Sequence, residues 1–477
     1  MLNRNATPGR AFGLFPRRAL GLAAVAAVLP LAACNLDEAL QVDDPFVVTP
    51  GVARDTLNLP NTFAGARVQF ATAITGRQNR EGGLILQSGA LSDELISTDQ
   101  FADRNAIDRR QSGENSPAAA DPYTFLQRAR AEAVNAAALF ASTGQSGSEM
   151  HTDLYNIIGY SELYLAETFC SGVPLSIVDN SGQFIPSAGL TTAAVVDSAI
   201  AAFDKAIAMA SANGNSTDLN LARVGKARAL SFKGDYAQAA TVAATVPTSF
   251  AYFVEYDAGA QESYNVVEQI GNEEERWGGV DKEGVNGLDY LSSHDPRTPW
   301  GSKCVGGPCV LYGNDGNAFD GGITGPHFSQ LKYSTRGSDV MIASGMEARY
   351  IQAEAAMKAG NAASALDFVN QARAANNAFL PAATPLGALT MAEFGATTQA
   401  QTLRLFRERA FSLWLTAHRT GDLRRMQKYF GFAADQIWPI GVDKRGEAYG
   451  NDVSLTIPQS ERNNPLYTGC LAPASTP

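Results

Sequence analysis

Residues 407–425 read RERAFSLWLTAHRTGDLRR, and this stretch decides the fold that the sequence predicts. Glu408 and Asp422 stand among the arginines, whereas a helix that binds nucleic acid would present positive charge alone. One stripe recurs at helical spacing and consists of Phe411, Leu415 and His418. The pattern predicts a core helix whose charged side chains pair in the interior. His418 is expected to be structural rather than catalytic.

Apolar residues also follow a helical period in three stretches earlier in the chain. The first is predicted to begin at Asp121-Pro122, because an aspartate followed by proline is a common helix start. The apolar faces are Leu126, Ala129, Ala133, Ala137 and Phe140; Leu154, Ile157, Ile158, Ser161 and Leu165; and Val196, Ile200, Phe203 and Ile207. Helical patterns return at 346–358, 362–376 and 403–416. We therefore expect a mostly α-helical protein built from amphipathic packing helices.

Two segments repeat one spacing, with seven residues from an alanine to a glycine and five from that glycine to the next alanine. They are Ala227, Gly234-Asp235 and Ala239, and Ala353, Gly360-Asn361 and Ala365. Small residues let paired helices approach, and glycine ends the first helix of a pair. This is the logic of tetratricopeptide (TPR) repeats, with chance as the alternative in a chain rich in alanine. The spacing predicts divergent TPR-like hairpins.

The segment 271–345 differs in character from the helical parts on either side. It holds 15 of the 44 glycines and shows little sustained periodicity, so it is expected to form long loops and short strands. Long structured loops on a rigid frame are where binding residues tend to lie. The sequence thus predicts a helical region at 34–270, a loop-rich insertion at 271–345 and a helical region at 346–477, together forming one compact domain.

The N-terminus has the pattern of a bacterial signal peptide. Arginines precede an apolar run at 19–31 that is too short to span a bilayer, and the run ends in Leu31-Ala32-Ala33-Cys34. This ending resembles a lipobox, so residues 1–33 are expected to be removed and Cys34 to carry lipid. An ordinary secretory signal beside an incidental cysteine is the alternative.

The residues around the predicted cleavage site and the charge of the chain indicate its destination. Arg17-Arg18 leaves the Sec and twin-arginine export routes open. Asn35 and the acidic pair Asp37-Glu38 favour a lipid-anchored protein of the outer membrane that faces the cell surface. The formal net charge of −11 argues against nucleic acid and anionic lipid head groups as partners.

An even number of cysteines remains beyond the lipid cysteine, and disulfides are expected in an oxidising compartment. These cysteines are Cys170, Cys304, Cys309 and Cys470. Cys304 and Cys309 are close together in a glycine-containing loop and are predicted to pair. Cys170 and Cys470 either pair across a very long separation or stay free, and the sequence leaves both open. His294 is the only histidine near Cys304, which disfavours a zinc site.

The chain lacks the signatures of nucleophilic, metalloprotease and nucleotide chemistry. Asp93-Glu94 and Glu273-Glu274-Glu275 could serve glycoside hydrolysis, but acidic pairs have little specificity in an acidic chain. Asn314-Asp315-Gly316-Asn317 with Asp320 could bind calcium, yet it lacks complete EF-hand spacing and more often forms a turn. The sequence therefore predicts a protein that is not an enzyme and needs neither metal nor cofactor.

Landmarks in a fixed order along the chain carry a resemblance to a known family. The stretch 407–425 is the most specific, and the others are 89–94, 160–175, 347–355, Ile457-Pro458-Gln459-Ser460-Glu461 and Asn464-Pro465. Together they resemble the SusD/RagB family of nutrient-binding outer-membrane lipoproteins. The landmarks span most of the mature chain, so the resemblance is global.

The resemblance implies TPR-like hairpins, arranged as the SusD-like α-α superhelix, with a loop-rich insertion. It also implies a lid on a SusC-like TonB-dependent outer-membrane transporter. The lid captures a nutrient, with a glycan or oligosaccharide favoured over a peptide, and delivers it without catalysis. A TPR-like lipoprotein scaffold for envelope assembly is the alternative, and a hydrolase is a weaker third. The identity of the ligand stays open.

In proteins of this kind the ligand surface draws on the loop after the early acidic motif and on the central insertion. Sugars need flat aromatic faces for their C–H surfaces and polar groups for their hydroxyls. The matching positions in this sequence are Gln100, Phe101, Asp103, Arg104, Asn105, Trp277, Tyr290, Arg297 and Trp300. Trp277 and Trp300 are the best candidates, and the alternative is that each packs inside its own loop.

Overall fold

Helix is the dominant element of the described chain, as the amphipathic patterns predict. The computed structural model describes residues 58–78, 81–303, 309–323 and 325–477. The predicted signal peptide at 1–33, Cys34 and Cys304 lie outside these ranges. The described residues all fall in one compact unit, Ala53–Pro477. The predicted boundaries after residues 270 and 345 stay predictions.

Polar side chains set the starts of the long helices. Ser148 accepts a hydrogen bond from the backbone of His151, and Thr191 accepts one from the backbone of Ala194. Each satisfies an N–H group that has no acceptor within its own helix. The helices are α1 Leu59–Thr75, α2 Leu84–Leu91, α3 Ala102–Asp108, α4 Pro117–Ser142, α5 Glu149–Thr168, α6 Thr192–Asn213, α7 Ser216–Lys233, α8 Tyr236–Ala243, α9 Gly345–Lys358, α10 Ala362–Asn376, α11 Met391–Phe394, α12 Thr398–Ser412, α13 Arg419–Tyr429 and α14 Ala434–Ile437. In the described ranges, none is long and apolar enough to cross a membrane.

The two alanine–glycine segments form the hairpins that their spacing predicts. Gly234 joins α7 to α8 and Gly360 joins α9 to α10, with φ of 95° and 73°, in the left-handed region that favours glycine. Asp235 and Asn361 then accept backbone hydrogen bonds at the start of the next helix. The spaced alanines have 0% exposure, and they are Ala227, Ala239, Ala353 and Ala365. Because α8 also packs on α9, the two hairpins stack, and the predicted mostly α, TPR-like fold is confirmed.

Strands are short, and within the described residues each pairs antiparallel with one partner. The pairs are β1 Gly76–Arg77 with β2 Glu81–Gly82; β3 Leu95–Ser97 with β9 Trp277–Gly279; β4 Val173–Pro174 with β7 Gly189–Leu190; β5 Ile177–Val178 with β6 Phe184–Ile185; β8 Ala251–Val254 with β12 Val340–Ser344; and β10 Trp300–Gly301 with β11 Ser329–Gln330. In the β3–β9 pair, Ser97 lies opposite Trp277. This pairing joins the central insertion to the loop that follows the early acidic motif.

Helix α4 begins earlier than the sequence predicts. Its N-cap is Ser116, whose hydroxyl accepts from the backbone of Ala119, and its first residue is Pro117. The predicted start at Asp121-Pro122 is therefore wrong. Ser116-Pro117 offers the same combination of capping side chain and proline five residues earlier. Pro122 then lies inside the helix, where it lacks one backbone donor.

Helix α12 begins and ends earlier than the predicted range of 403–416. It starts after Thr397, which accepts from the backbone of Ala400, and it ends at Ser412. Leu415 and Ala417 have φ of 54° and 59°, which a right-handed helix cannot contain. A tight buried turn replaces the last turn of the predicted helix.

The C-terminal tail is tied to the end of α5 by a disulfide. Cys170 and Cys470 are bonded, with their Cα atoms 5.9 Å apart and 300 residues between them in sequence. The question that the sequence left open is thus answered in favour of pairing. Cys304 lies outside the described residues, so its predicted bond to Cys309 stays a prediction.

Candidate ligand-binding surface

The early acidic motif lies in the interior and fastens the central insertion to the C-terminal helices. Asp93 accepts from Arg419 Nε at 2.6 Å and from the backbone N–H of Leu288 at 3.0 Å. Glu94 accepts from the backbone N–H of Leu415 at 2.9 Å. The two acidic residues are 0% and 1% exposed. They support the loops rather than face a substrate.

The arginines of the fold-deciding stretch form a buried ion network. Arg409 contacts Asp422 at 3.0 Å, and Arg425 contacts the same carboxylate at 2.8 Å. Burial opposes ionisation of Asp422, but the two guanidinium groups outweigh burial and lower its pKa to about 2. His418 is 2% exposed and lies 3.0 Å from Glu347. The predicted buried ion pairing is confirmed, and His418 takes part in it.

The loop after the acidic motif exposes two of its five predicted ligand-binding residues. Gln100 is exposed, and Phe101 is 45% exposed. Asp103 accepts from the backbone at the start of α4 at 2.9 Å. Arg104 pairs with a buried aspartate, and Asn105 accepts from a serine hydroxyl at 2.7 Å. The last three side chains therefore hold the loop in place.

All four predicted residues of the insertion are buried. Trp277 is 1% exposed. The ring of Tyr290 lies 5.1 Å from that of Phe411, and Arg297 pairs with Glu408 at 2.7 Å. In this conformation Tyr290 and Arg297 pack the insertion against α12. That they bind ligand stays a prediction.

The fourth residue, Trp300, lies beneath two exposed rings that come from different loops. Its indole N–H donates to the carbonyl of Leu291 at 2.9 Å, and the residue is 7% exposed. Tyr312, which is 41% exposed, lies 5.4 Å from the indole between ring centroids. His294, also exposed, lies 4.3 Å from the Tyr312 ring at an interplanar angle of 32°. Trp300 thus supports a surface ring pair, the His294–Tyr312 pair.

Both residues of the His294–Tyr312 pair have a backbone conformation that non-glycine residues rarely adopt. Their φ angles are 48° and 63°. Two contacts hold this geometry: Tyr312 N–H donates to the carbonyl of Trp300 at 3.0 Å, and its hydroxyl donates to that of His294 at 3.3 Å. Backbone strain of this kind concentrates at binding and active sites, which makes the pair a candidate for ligand contact.

A second cluster brings the guanidinium group of Arg276 close to two exposed aromatic rings. Arg276 lies 4.3 Å from the centroid of the Phe319 ring and 5.9 Å from that of Phe101. Asp99 at 2.8 Å and Glu274 at 2.7 Å fix the guanidinium group by ion pairs. Phe319 is 42% exposed. The cluster therefore offers two rigidly held rings to solvent.

One loop, 309–323, joins the two clusters because it carries both Tyr312 and Phe319. Its residue Leu311 bridges to Gly301, and the backbone N–H of Asp320 donates to the carbonyl of Thr98 at 2.9 Å. We name the combined set the aromatic surface, and it consists of Gln100, Phe101, Arg276, His294, Tyr312 and Phe319.

The acidic alternatives raised by the sequence have structural roles. Asp315 accepts from the backbone of Lys303 at 2.6 Å, from the Ser329 hydroxyl at 2.7 Å and from His327 at 3.1 Å. These contacts use the carboxylate oxygens of Asp315, in the turn that the sequence offered as a calcium site. Each carboxylate of Glu273-Glu274-Glu275 pairs with a lysine or an arginine. Within the described ranges, no cluster of histidine, cysteine and acidic side chains could hold a metal ion.

Sequence reasoning missed four members of the aromatic surface, namely Arg276, His294, Tyr312 and Phe319. A signal existed for Tyr312 and Phe319, because they flank the glycine- and asparagine-rich turn at 313–317. Aromatic side chains beside such a turn have little hydrophobic core nearby in which to pack. The other two depend on contacts between distant loops, which a local pattern does not contain.

Comparisons with known proteins show similarity of fold but not of sequence. No protein-family model matches the chain, and no curated protein matches it. A solved SusD-like protein from Bacteroides fragilis superposes with a TM-score of 0.62 at 13% identity, covering 92% of this chain and 100% of that one. Surface glycan-binding protein A from Bacteroides uniformis gives a TM-score of 0.58 at 12% identity, covering 87% and 99%. A laminarin-binding SusD-like protein gives 0.57 at 14% identity, covering 88% and 100%.

These neighbours are matched over almost their whole length, so the shared architecture is that of the complete fold. The resemblance drawn from the landmarks is confirmed at that level. With identities of 12% to 14% in the three structures described, the likeness concerns the fold. Chemistry must be argued from the residues of the aromatic surface.

Proposed function

Because the chain has the fold shared by SusD superfamily proteins, we propose that it is a surface lipoprotein that captures a glycan or oligosaccharide at its aromatic surface. It passes the ligand to a partner TonB-dependent transporter in the outer membrane. Cys34 carries the lipid that anchors it. A peptide is the second ligand class, and it differs from a glycan in needing partners for a regularly spaced amide backbone.

The observation that carries the proposal is the set of rigidly held, exposed rings on the insertion loops. Tyr312 and Phe319 are each about two-fifths exposed, at 41% and 42%, while the side chains beneath them are buried. Flat rings cover the C–H faces of sugars, and the exposed side chain of Gln100 beside Phe101 can donate to hydroxyl oxygens. Because the rings are already fixed, little conformational entropy is lost when a ligand binds.

Two of the solved neighbours support this ligand class. One is named as a surface glycan-binding protein and the other as a laminarin-binding protein. Those names describe the neighbours, and their fold is the one found in this chain. Shared fold and an aromatic loop surface together favour glycan capture over an envelope scaffold, which would need a broad groove for a protein partner.

The same surface supports capture without turnover. Glycoside hydrolysis needs two carboxyl groups on either side of the bond that is cleaved. Asp93 and Glu94 are buried, and the carboxylates at 273–275 are held in ion pairs. We therefore propose that ligands leave the protein chemically unchanged.

A glycan array probed with the full chain in detergent tests the proposal, followed by calorimetric titration of the glycans that bind. Replacing both rings, in Tyr312→Ala with Phe319→Ala, is expected to weaken binding at least about tenfold, which corresponds to about 1.4 kcal/mol. The matched control is Phe379→Ala. Phe379 is similarly exposed, at 45%, but lies outside the aromatic surface. Equal affinity of the double variant and the parent would refute glycan capture at this surface.

A further inference from the structure

A separate cavity opens between α1, α5 and β8. Its volume is about 300 Å³, which is at the lower end of the range for small-molecule sites. None of the residues of the aromatic surface lines it. The cavity is therefore separate from the surface proposed to bind ligand on the insertion loops.

The wall of the cavity is largely aromatic and apolar. Four tyrosines contribute to it, and one of them, Tyr256, is fixed by a hydrogen bond from its hydroxyl to the carbonyl of Ala71 at 2.9 Å. Its aromatic lining residues are Phe63, Phe70, Tyr160, Tyr252, Tyr256 and Tyr264. Aromatic faces carry negative charge density and attract cations as well as apolar groups.

Two buried acceptors on α5 lie in this wall without sufficient donors. Asp153 and Asn156 are one turn apart and are 7% and 1% exposed. Within the described part of the chain, Asp153 has no hydrogen-bond donor, and its ion-pair partner Arg67 is 4.0 Å away. Asn156 donates to the carbonyl of Asp218 at 3.3 Å, while its own oxygen has no partner among the described residues. A buried acceptor without a donor, such as the Asn156 oxygen, is costly, so an occupant that donates to it and to Asp153 would stabilise the site.

The charges around the cavity are mostly negative. Exposed Glu255 and Glu262 line it beside Asp153, whereas Arg67 is the only cationic lining residue of the described chain. Burial raises the pKa of Asp153 to about 6. Burial, with the charge of Asp153 added, raises the pKa of the neighbouring Asp218 to about 7. Burial is the larger cause in both cases, and the positive charge of Arg67 opposes it.

We propose that this cavity binds a small organic cation, namely a primary ammonium group carried on an apolar or aromatic body. The three N–H donors of an ammonium group match the carboxylate of Asp153 and the unpartnered oxygen of Asn156. The body of the ligand packs against the tyrosines. An anion would face the carboxylates, and a neutral apolar molecule would leave both acceptors without donors.

The test uses four amines, phenethylamine, tyramine, tryptamine and isoamylamine, each beside the alcohol of the same skeleton. Binding to the full chain in detergent is measured by calorimetric titration and by ligand-observed NMR. At least one amine is expected to bind with a Kd at or below about 1 mM, and its alcohol at least about tenfold more weakly. If no amine binds, or if the alcohols bind as tightly, the proposal is overturned.

Variants separate the cavity from non-specific attraction of amines to an acidic protein. Asp153→Asn is expected to weaken amine binding about tenfold or more. Arg67→Gln is expected to strengthen it, because the only competing cation is removed, and its half-exposed side chain makes misfolding a minor concern. The control is Asp197→Asn, whose side chain is 53% exposed and pairs with Lys233 on the surface. Unchanged affinity in both cavity variants would contradict the proposal.

Discussion

Glu94 shows how burial outweighs nearby charge at a single residue. It lies 1% exposed, and Arg419 and Lys332 are its cationic neighbours. Burial nevertheless raises its pKa to about 8 from an ordinary value of 4.5. The backbone N–H of Leu415 donates to its carboxyl group at 2.9 Å, which fixes the turn after α12. The residue therefore serves as a structural acceptor that is most stable when it is protonated.

This raised pKa makes a prediction about pH. A group whose pKa is higher in the folded state binds a proton on folding, so its contribution to stability is complete below pH 4.5 and is lost as pH rises through about 8. Glu94→Gln keeps an acceptor for Leu415 but cannot ionise. We expect the variant to be about 1–3 kcal/mol more stable than the parent near pH 8, with a flatter pH dependence of unfolding.

Urea unfolding of the parent and of Glu94→Gln across this pH window measures the effect. Asp204→Asn is the control, because the Asp204 side chain is 52% exposed. A variant whose stability falls with pH as steeply as that of the parent would show that Glu94 is not the responsible group.

At this scale the sequence singled out Trp277 and Trp300 but could not give their exposure. Trp277 has Arg104 5.9 Å from its ring centroid and lies opposite Ser97, and these contacts join residues far apart in sequence. The exposed rings of Tyr312 and Phe319 are set by the same long-range packing. Residue type predicted a ligand surface, but contacts between loops decide which aromatic rings are exposed.

At the scale of helices, Phe203 sets the spacing of α5, α6 and α7. Its ring packs where Gly159 of α5 and Gly225 of α7 leave room. A Cβ atom at Gly225 would lie 2.4 Å from that ring, and one at Gly159 would lie 2.6 Å from it. Both distances are shorter than any real contact, so the three helices require glycine at these positions.

Gly225→Ala tests this packing, because the sign of the change in stability distinguishes a clash from free space. Alanine would stabilise an unhindered helix by up to about 1 kcal/mol, whereas the clash with Phe203 is expected to destabilise the protein by about 1–3 kcal/mol. Thermal and urea unfolding give the difference. Gly387→Ala is the matched control, because no atom lies within 4 Å of a Cβ at that position. A stabilised Gly225→Ala variant would mean that the helices are farther apart.

The hairpins were predictable because their signals are local. Glycine at a left-handed turn and a capping side chain directly after it fix each hairpin within a few residues, as at Gly234-Asp235 and Gly360-Asn361. The end of α12 was not predictable in this way. The turn at 413–417 is stabilised by Glu94, and by Tyr333, whose hydroxyl donates to the carbonyl of Leu415 at 2.7 Å.

For the molecule as a whole, the disulfide fastens the C-terminal tail to the helical body. Around Cys170 and Cys470, the tail also makes backbone hydrogen bonds, including Leu471 N–H to the carbonyl of Ser171 at 2.7 Å. A cross-link spanning 300 residues restricts the unfolded chain strongly. We expect it to be a main contributor to global stability.

Replacing both cysteines, in Cys170→Ser with Cys470→Ser, should lower the free energy of unfolding by about 2–5 kcal/mol while leaving the helical signal in circular dichroism unchanged. The reducing agent dithiothreitol should bring the parent towards the same value. Unfolding curves that coincide for parent and variant would contradict a stabilising role for this bond.

The account of the whole molecule rests on the proposed partnership with a transporter. The direct measurement is a pull-down from native outer membrane with a tag after Pro477, in which the co-purifying proteins are identified by mass. The account predicts recovery of a large TonB-dependent transporter in a near-equal amount. Recovery of envelope assembly factors without a transporter would contradict it and favour the scaffold.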